Sequence, residues 1–385
     1  MIKGKKRTAH RKTENKNTIE KRMITGCVFL AFSAVLIIMA EKIPGMAEWY
    51  STHIYPVIVS ILGRISGIFP WSLSELCLYA GIILLIGTLI HAIATAVRGR
   101  QGGPVMLKWA SGLFLAASVL VFLYVADCGV NYRRVSFSEK SGIQTTEYTV
   151  QDLKEVCVWL TKEVNARAGK VMRDDEGEMQ LSGPEGKDAV HAMKQLGAVY
   201  PALAGYYPQP KRVLLSQILS YQSLTGVYSP FTVEANYNKD MPDYNIPFTA
   251  CHELSHLRGF MQEEEANFIA FLACIDAQRD DFQYSGYLMG WIYSMNALYK
   301  ADYGAWQEVR SLLDASVEVD LTRNSQFWAG YEGAIAEVSN KVNDTYLKAN
   351  GQADGVQSYD RMVDLIVSYF QRGQTPLKKS VTKLQ

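Results

Sequence analysis

The sequence predicts an α-helical membrane anchor of three transmembrane helices, followed by a mainly α-helical, α+β soluble domain with a small sheet. Three observations predict this fold class. Three long apolar runs lie in the first third of the 385-residue chain, and the balance of charge reverses after them. The pattern His-Glu-x-x-His then lies in the second part, from His252 to His256.

The apolar runs cover residues 23–40, 76–97 and 109–126, and none contains Asp, Glu, Lys or Arg. Each is close to the roughly 20 residues that a helix needs to cross the hydrocarbon core of a bilayer. A cleaved signal peptide is the alternative for the first run. However, no clear small-x-small cleavage site follows it, and the later runs would hold the chain in the membrane in any case. We therefore expect three membrane spans within residues 23–127.

Lys and Arg near the runs predict the orientation, because cytoplasmic loops carry an excess of them. Residues 1–22 contain nine, so this basic tail is expected in the cytoplasm. The first connection has only Lys42 and Arg64, whereas the second has Arg98, Arg100 and Lys108. The alternation predicts a multi-pass cell-membrane protein whose residues 128–385 lie outside the cytoplasm. The lipid bilayer is the expected partner, and the tail needs no nucleic acid to explain its charge.

The charge counts agree with this division. Residues 1–127 contain 14 Lys and Arg against 6 Asp and Glu, whereas residues 128–385 contain 25 against 32. Pattern analysis of the remaining segments predicts an interfacial segment near 54–69, a helix at 150–168, an exposed loop at 169–187, a helix at 186–203, one alternating strand at 226–238 and helices from 263 onward.

The His-Glu-x-x-His pattern predicts a metal site on a helix. His252 and His256 are four residues apart, so both project from one face and can bind a single zinc ion. Glu253 lies beside them and can act on a water molecule without ligating the ion. Pro247 suits the first turn of this helix, and Gly259 suits a left-handed stop after it.

Three consecutive glutamates then begin a second helix, where the helix dipole favours acidic residues. A catalytic zinc needs three protein ligands and one open position. Glu263 is the predicted third ligand, because Asn267 lies one turn later and could hydrogen-bond a histidine ligand. Glu265 is the alternative.

The residues HELSH, followed by Glu263-x-x-Ala266-Asn267, resemble the gluzincin metallopeptidases, although Asn267 stands where the membrane-bound members have Asp. The chain also resembles an uncharacterised family of bacterial membrane proteins with a few amino-terminal spans and an extracytoplasmic zincin-like domain. That resemblance is carried by four stretches, GVYSPFTVEANYN, CHELSHLRGF, EEEANFIAFLAC and NDTYLKANGQADGVQSYDRMVDLI. It implies a zincin-like fold for residues 128–385.

The resemblance implies hydrolysis of peptide bonds in an extracytoplasmic peptide or protein substrate, by a zinc-activated water with Glu253 as general base. By the same mechanism the strand before the motif would align substrate, with Glu234, Asn236 and Tyr237 as candidate contacts. Tyr237, Tyr244 and Tyr287 are candidate transition-state donors. Two alternatives stay open: a non-catalytic zinc-stabilised scaffold or sensor, and a zinc-dependent cell-wall amidase.

Overall fold

A computed structural model describes residues 2–99, 102–143 and 145–373 of the chain. Arg100, used above to predict orientation, and residues 374–385 of the predicted soluble domain lie outside the described residues. The described chain is mostly helical with two small sheets. Its helices are α1 (Ile2–Lys42), α2 (Met46–Trp49), α3 (Tyr55–Ser66), α4 (Leu73–Gly99), α5 (Gly102–Tyr124), α6 (Phe137–Ser141), α7 (Val150–Ala168), α8 (Glu185–Val199), α9 (Ser216–Tyr221), α10 (Asn245–Leu257), α11 (Glu263–Ile275), α12 (Asp280–Ala301), α13 (Tyr303–Arg310), α14 (Ala315–Ala329), α15 (Ala334–Ala349) and α16 (Met362–Gln371).

Three helices are long and apolar enough to cross a membrane, and they contain the three predicted runs. The candidate spans are Asn15–Lys42, Leu73–Arg98 and Gly102–Arg133. Helices α1 and α4 both pack against α5. The side of the membrane on which each end lies stays a prediction.

Helix α3 occupies most of the segment predicted to be interfacial. Its buried face includes Tyr55 and Val59, whereas Val57, Ile61 and Ile65 are exposed. A short helix that is apolar on both its buried and its exposed face suits the boundary between protein and lipid.

Helix α7 confirms the helix predicted at 150–168. It begins with a capping box in which the side chains of Thr149 and Asp152 each accept a hydrogen bond from the other residue's backbone N–H. The predicted apolar stripe is buried in the main hydrophobic core. That core also includes Tyr55 and Val59, which precede the predicted domain boundary at 127/128. Residues on both sides of the predicted boundary therefore share one core, and the boundary itself stays a prediction.

The single strand predicted at 226–238 is wrong. The chain forms two antiparallel strands, β4 (Gly226–Ser229) and β5 (Glu234–Tyr237), with Ser229 opposite Glu234. Pro230 lacks the N–H needed to continue the ladder, and Val233 has a φ of +54°, which is incompatible with an extended strand.

Strand β5 is central in its sheet, with β4 on one side and the parallel strand β3 (Lys211–Arg212) on the other. All four residues of β5 are buried, because helix α10 packs on the sheet and the start of α4 contacts Glu234 and Asn236. A strand with one face in water has every second side chain exposed, whereas β5 has no exposed side chain. The second sheet pairs β1 (Met172–Arg173) with β2 (Met179–Gln180), within the predicted loop.

Candidate metal centre

Helix α10 carries the His-Glu-x-x-His pattern and is buried along its whole length. Pro247 lies in its first turn, as predicted. The helix ends at Leu257, and Gly259 follows with a φ of +86°. A side chain at Gly259 would also crowd Asn131 and Tyr55, since a Cβ there would lie 3.2 Å from each. The chain thus reverses tightly toward α11.

Three ligand atoms converge between α10 and α11. The Nε2 atoms of His252 and His256 are 3.0 Å apart, and Oε2 of Glu263 lies 3.2 Å from the first and 3.5 Å from the second. Zinc bonds of roughly 2.0–2.1 Å in a tetrahedral site place neighbouring ligand atoms roughly 3.3 Å apart. The donor set therefore fits a zinc ion in both chemistry and spacing.

The orientation of His256 favours metal binding. Its Nδ1 lies 2.8 Å from the carbonyl oxygen of Phe260. Because a carbonyl can only accept, Nδ1 carries the proton of the neutral imidazole, and the lone pair of Nε2 in that form faces His252 and Glu263. His252 Nδ1 and the Asn267 amide nitrogen are both buried without a hydrogen-bond partner among the described residues. The hydrogen bond expected between Asn267 and a histidine is thus not formed through that amide nitrogen.

The three glutamates have three different environments. Glu263 meets the histidines, whereas Glu265 accepts hydrogen bonds from the backbone N–H and hydroxyl of Ser138 at the start of α6. Glu264 contacts Gln352, which precedes the 3-10 segment Gly355–Arg361, and Arg361, the last residue of that segment. Only Glu263 has its carboxylate beside the two imidazoles.

Glu253 is enclosed beside the cluster and has one carboxylate oxygen, Oε2, without a hydrogen-bond partner among the described residues. Its other oxygen lies against Gly226 of β4, because a Cβ built at Gly226 would be 2.5 Å from it and 2.7 Å from Cγ2 of Thr249. Because Gly226 has no side chain, the Glu253 carboxylate can occupy the space next to it.

Electrostatics at the site reflect burial and mutual attraction. Burial opposes the charged forms, but His256 and His252 hold the pKa of Glu263 well below its usual range. Burial lowers and Glu263 raises the pKa of His256, which rises to about 9. Burial raises the pKa of Glu253 to about 7, against the effect of the two histidines. The carboxylate of Glu263 thus favours positive charge at the place where the three ligand atoms meet.

The predicted substrate contacts have structural partners instead. Glu234 forms a buried ion pair with Lys211, and the Asn236 amide donates to Ser74 and to backbone carbonyls. The hydroxyl of Tyr237 donates to Glu185. Among the described residues, none of these three side chains forms a hydrogen bond or an ion pair with His252 or His256.

Tyr244 and Tyr287, the other predicted donors, are buried in the core. The ring of Tyr287 lies against Arg167, at 4.2 Å. Two tyrosines that the sequence pattern did not identify as candidate donors interact with residues of the candidate metal site. The ring of Tyr228 on β4 is centred 6.5 Å from that of His256, and its hydroxyl lies 2.8 Å from that of Tyr55.

Tyr359 is the second tyrosine. Burial, and then the negative charges of Glu263 and Glu253, raise its pKa well above the usual value. Tyr228 lies within GVYSPFTVEANYN, one of the stretches that carried the resemblance, and is two residues after Gly226, on the same side of the strand. Its place in that stretch was a usable signal. Tyr359 also lies within such a stretch, NDTYLKANGQADGVQSYDRMVDLI, but no local spacing connects it with a motif that precedes it by about a hundred residues.

Comparison with known proteins places the chain in a family without assigning it an activity. No curated protein and no solved structure matches it. Residues 50–367 match a protein family, and this match covers α3, both later candidate spans and the three candidate metal ligands. The chain therefore belongs to the family described as "Protein of unknown function (DUF3810)".

Proposed function

We propose that this protein is a membrane-anchored zinc metallopeptidase with a zincin-like soluble domain. The observation that carries the proposal is the convergence of His252, His256 and Glu263 within 3.0–3.5 Å, with Glu253 enclosed beside them. The resemblance of helices α10 and α11 to those of gluzincins supports the same reading. The expected substrate is a peptide or protein on the extracytoplasmic side.

His252, His256 and Glu263 would hold the zinc. When bound, zinc supplies a Lewis acid that polarises a carbonyl and acidifies water. Glu253 accepts the proton of the attacking water and returns it to the leaving amine nitrogen. Its Oε2 suits this role, because it has no hydrogen bond to any described residue that would have to break first.

Two measurements on the purified full-length protein test the proposal. Metal analysis by mass spectrometry should find about one zinc per chain, and His256→Ala should lower that content. Comparison of new amino termini on surface proteins should then find cleavage products in parent cells that disappear with Glu253→Gln. Glu176→Gln, which changes an exposed glutamate away from the site, is the matched control. A protein without zinc, or a Glu253→Gln strain with unchanged products, would contradict the proposal.

A non-catalytic zinc-stabilised scaffold is the second candidate, favoured by the enclosure of the site. The three ligands are at most 9 % exposed, and the segment Gly355–Arg361 is held on α11 through Glu264 and Arg361. In that case removing zinc should unfold the soluble part, while Glu253→Gln should change neither folding nor any surface protein.

A further inference from the structure

A cavity of about 580 Å³ lies away from the metal cluster, between the end of α3, helix α8 and the loop that leads to β3. Its lining includes Ile68 and Phe69 after α3, Lys187 and Lys194 of α8, and Tyr206 of the loop. The lining contains no Asp or Glu. The cavity therefore combines an apolar edge with a basic wall.

Close packing of the loop on two helices shapes this cavity. A Cβ at Gly63 of α3 would lie 3.4 Å from the ring of Tyr206 and 3.5 Å from Pro208. At the other end, a Cβ at Gly186 of α8 would lie 3.3 Å from the carbonyl oxygen of Pro210. The loop thus spans from α3 to α8, and two of its prolines are buried.

The apolar edge of the cavity lies close to the start of a candidate membrane span. Phe69 precedes Leu73, the first residue of α4, by four residues, which span at most about 14 Å. Ile68 is 76 % exposed, and Trp71, also exposed, lies between the cavity and the span. Exposed tryptophan is typical of the interface between lipid and water. Chain continuity therefore sets the cavity near the depth of lipid headgroups.

The basic wall is not neutralised by neighbouring acids. Lys187 and Lys194 are exposed, lie two turns apart on one face of α8, and have no ion pair recorded in the described chain. The acidic residues of the same helix are engaged elsewhere, Glu185 with Arg212 and Asp188 with Arg279. Lys187 and Lys194 thus keep their charge available to a ligand.

Two further cations border the cavity. Lys211 is buried and is neutralised by Glu234, so it adds little net charge. Arg64 of α3 lies over the ring of Tyr206, 4.4 Å from its centre, and is exposed to solvent or lipid. A basic group next to a membrane attracts anionic lipid.

We propose that this cavity binds the headgroup of an anionic phospholipid. The phosphate lies between Lys187 and Lys194, and the acyl chains leave across Ile68 and Phe69 toward the bilayer. This site is independent of the metal cluster and of peptidase activity.

Lipid retention measures the proposed binding. The full-length protein is reconstituted in a mixture of phosphatidylglycerol and phosphatidylcholine, re-extracted in detergent, and its bound lipid is identified by native mass spectrometry. The parent should retain phosphatidylglycerol preferentially. The double substitution Lys187→Gln with Lys194→Gln should reduce that preference roughly 25-fold, because each basic group near an anionic surface contributes roughly a fivefold effect.

The control carries Lys162→Gln and Lys170→Gln, two exposed lysines outside the cavity, and has the same net charge as the test variant. It should behave as the parent, as should Lys187→Arg with Lys194→Arg, which also shows that the cavity tolerates substitution. Equal phosphatidylglycerol retention in the two glutamine variants would overturn the proposal. So would displacement of the bound lipid by millimolar inorganic phosphate, since that result indicates a general anion site.

Discussion

The carboxylate of Glu234 accepts the backbone N–H of Leu73 at 3.0 Å and that of Ser74 at 2.8 Å. These are the first two residues of α4, so strand β5 caps the beginning of a candidate membrane span. The cap satisfies N–H groups that the helix cannot satisfy itself and places negative charge at its positive end. In return, Glu75 of α4 accepts the N–H of Leu214, just after β3. Hydrogen bonds from two strands of the sheet, β5 and the end of β3, therefore hold the start of the candidate span α4.

Glu234→Gln should lower the free energy of unfolding by about 3 kcal/mol, because it leaves Lys211 buried without its counter-charge. Thermal unfolding of the detergent-solubilised protein measures the change. Glu176→Gln, at an exposed position, should have almost no effect. Adding Lys211→Met to Glu234→Gln should recover part of the loss, and a double variant less stable than the single one would contradict this explanation.

Local patterns predicted the features whose causes are local. The candidate spans were predictable from their composition, and helix α7 from its capping box and its apolar stripe. The bounds of α10 were predictable from Pro247 in its first turn and Gly259 after its end. The division of residues 226–238 into two strands depends on Pro230 and on the positive φ of Val233, which an alternating pattern does not reveal.

The residues of the candidate site divide in the same way, into those with local partners and those with partners far away in the sequence. His252 and His256 are one helical turn apart, and Glu263 follows a short reversal, so spacing was enough to bring them together. Glu234 was predicted to contact substrate from the strand pattern before the motif, which does not reveal its hydrogen bond to Leu73, 161 residues earlier in the chain. The family match from residue 50 onward fits a unit in which such distant contacts join the candidate spans to the residues that follow them.

Glu263→Gln should reduce zinc content well below one ion per chain, because it removes the only negative charge among the three ligand atoms. Glu265→Gln is the matched variant two residues away. It should retain zinc and lower the free energy of unfolding by only about 1 kcal/mol, through its weakened contact with Ser138. Metal analysis of both purified proteins decides between the two glutamates, and loss of zinc from Glu265→Gln alone would identify that residue as the ligand.

Gly226→Ala should reduce peptide hydrolysis by about a hundredfold while zinc content stays near that of the parent. The added Cβ would lie 2.5 Å from the Glu253 carboxylate and 2.9 Å from the backbone oxygen of Asn236, so the carboxylate has to move. A displacement of about 1 Å in a catalytic group has an effect of this size. Gly169→Ala is the control, since its Cβ would meet no atom within 4 Å. Full activity in Gly226→Ala would show that the close approach does not position Glu253.

Tyr55 connects helix α3 to helix α10, which carries the candidate metal ligands His252 and His256. Its hydroxyl donates to the carbonyl oxygen of Leu257, the last residue of α10, at 3.1 Å and so accepts from the hydroxyl of Tyr228 at 2.8 Å. Tyr55→Phe should lower the free energy of unfolding by about 1–2 kcal/mol, since the buried carbonyl loses this donor.

A double-mutant cycle separates this connection from simple loss of packing. Tyr228→Phe removes the hydrogen bond to Tyr55 but leaves Leu257 bonded, so alone it should have the smaller effect. Because the two hydroxyls form one chain, the double variant should be about 0.5–1 kcal/mol more stable than the sum of the single effects predicts. Strictly additive effects in thermal unfolding would show that the two hydroxyls act independently.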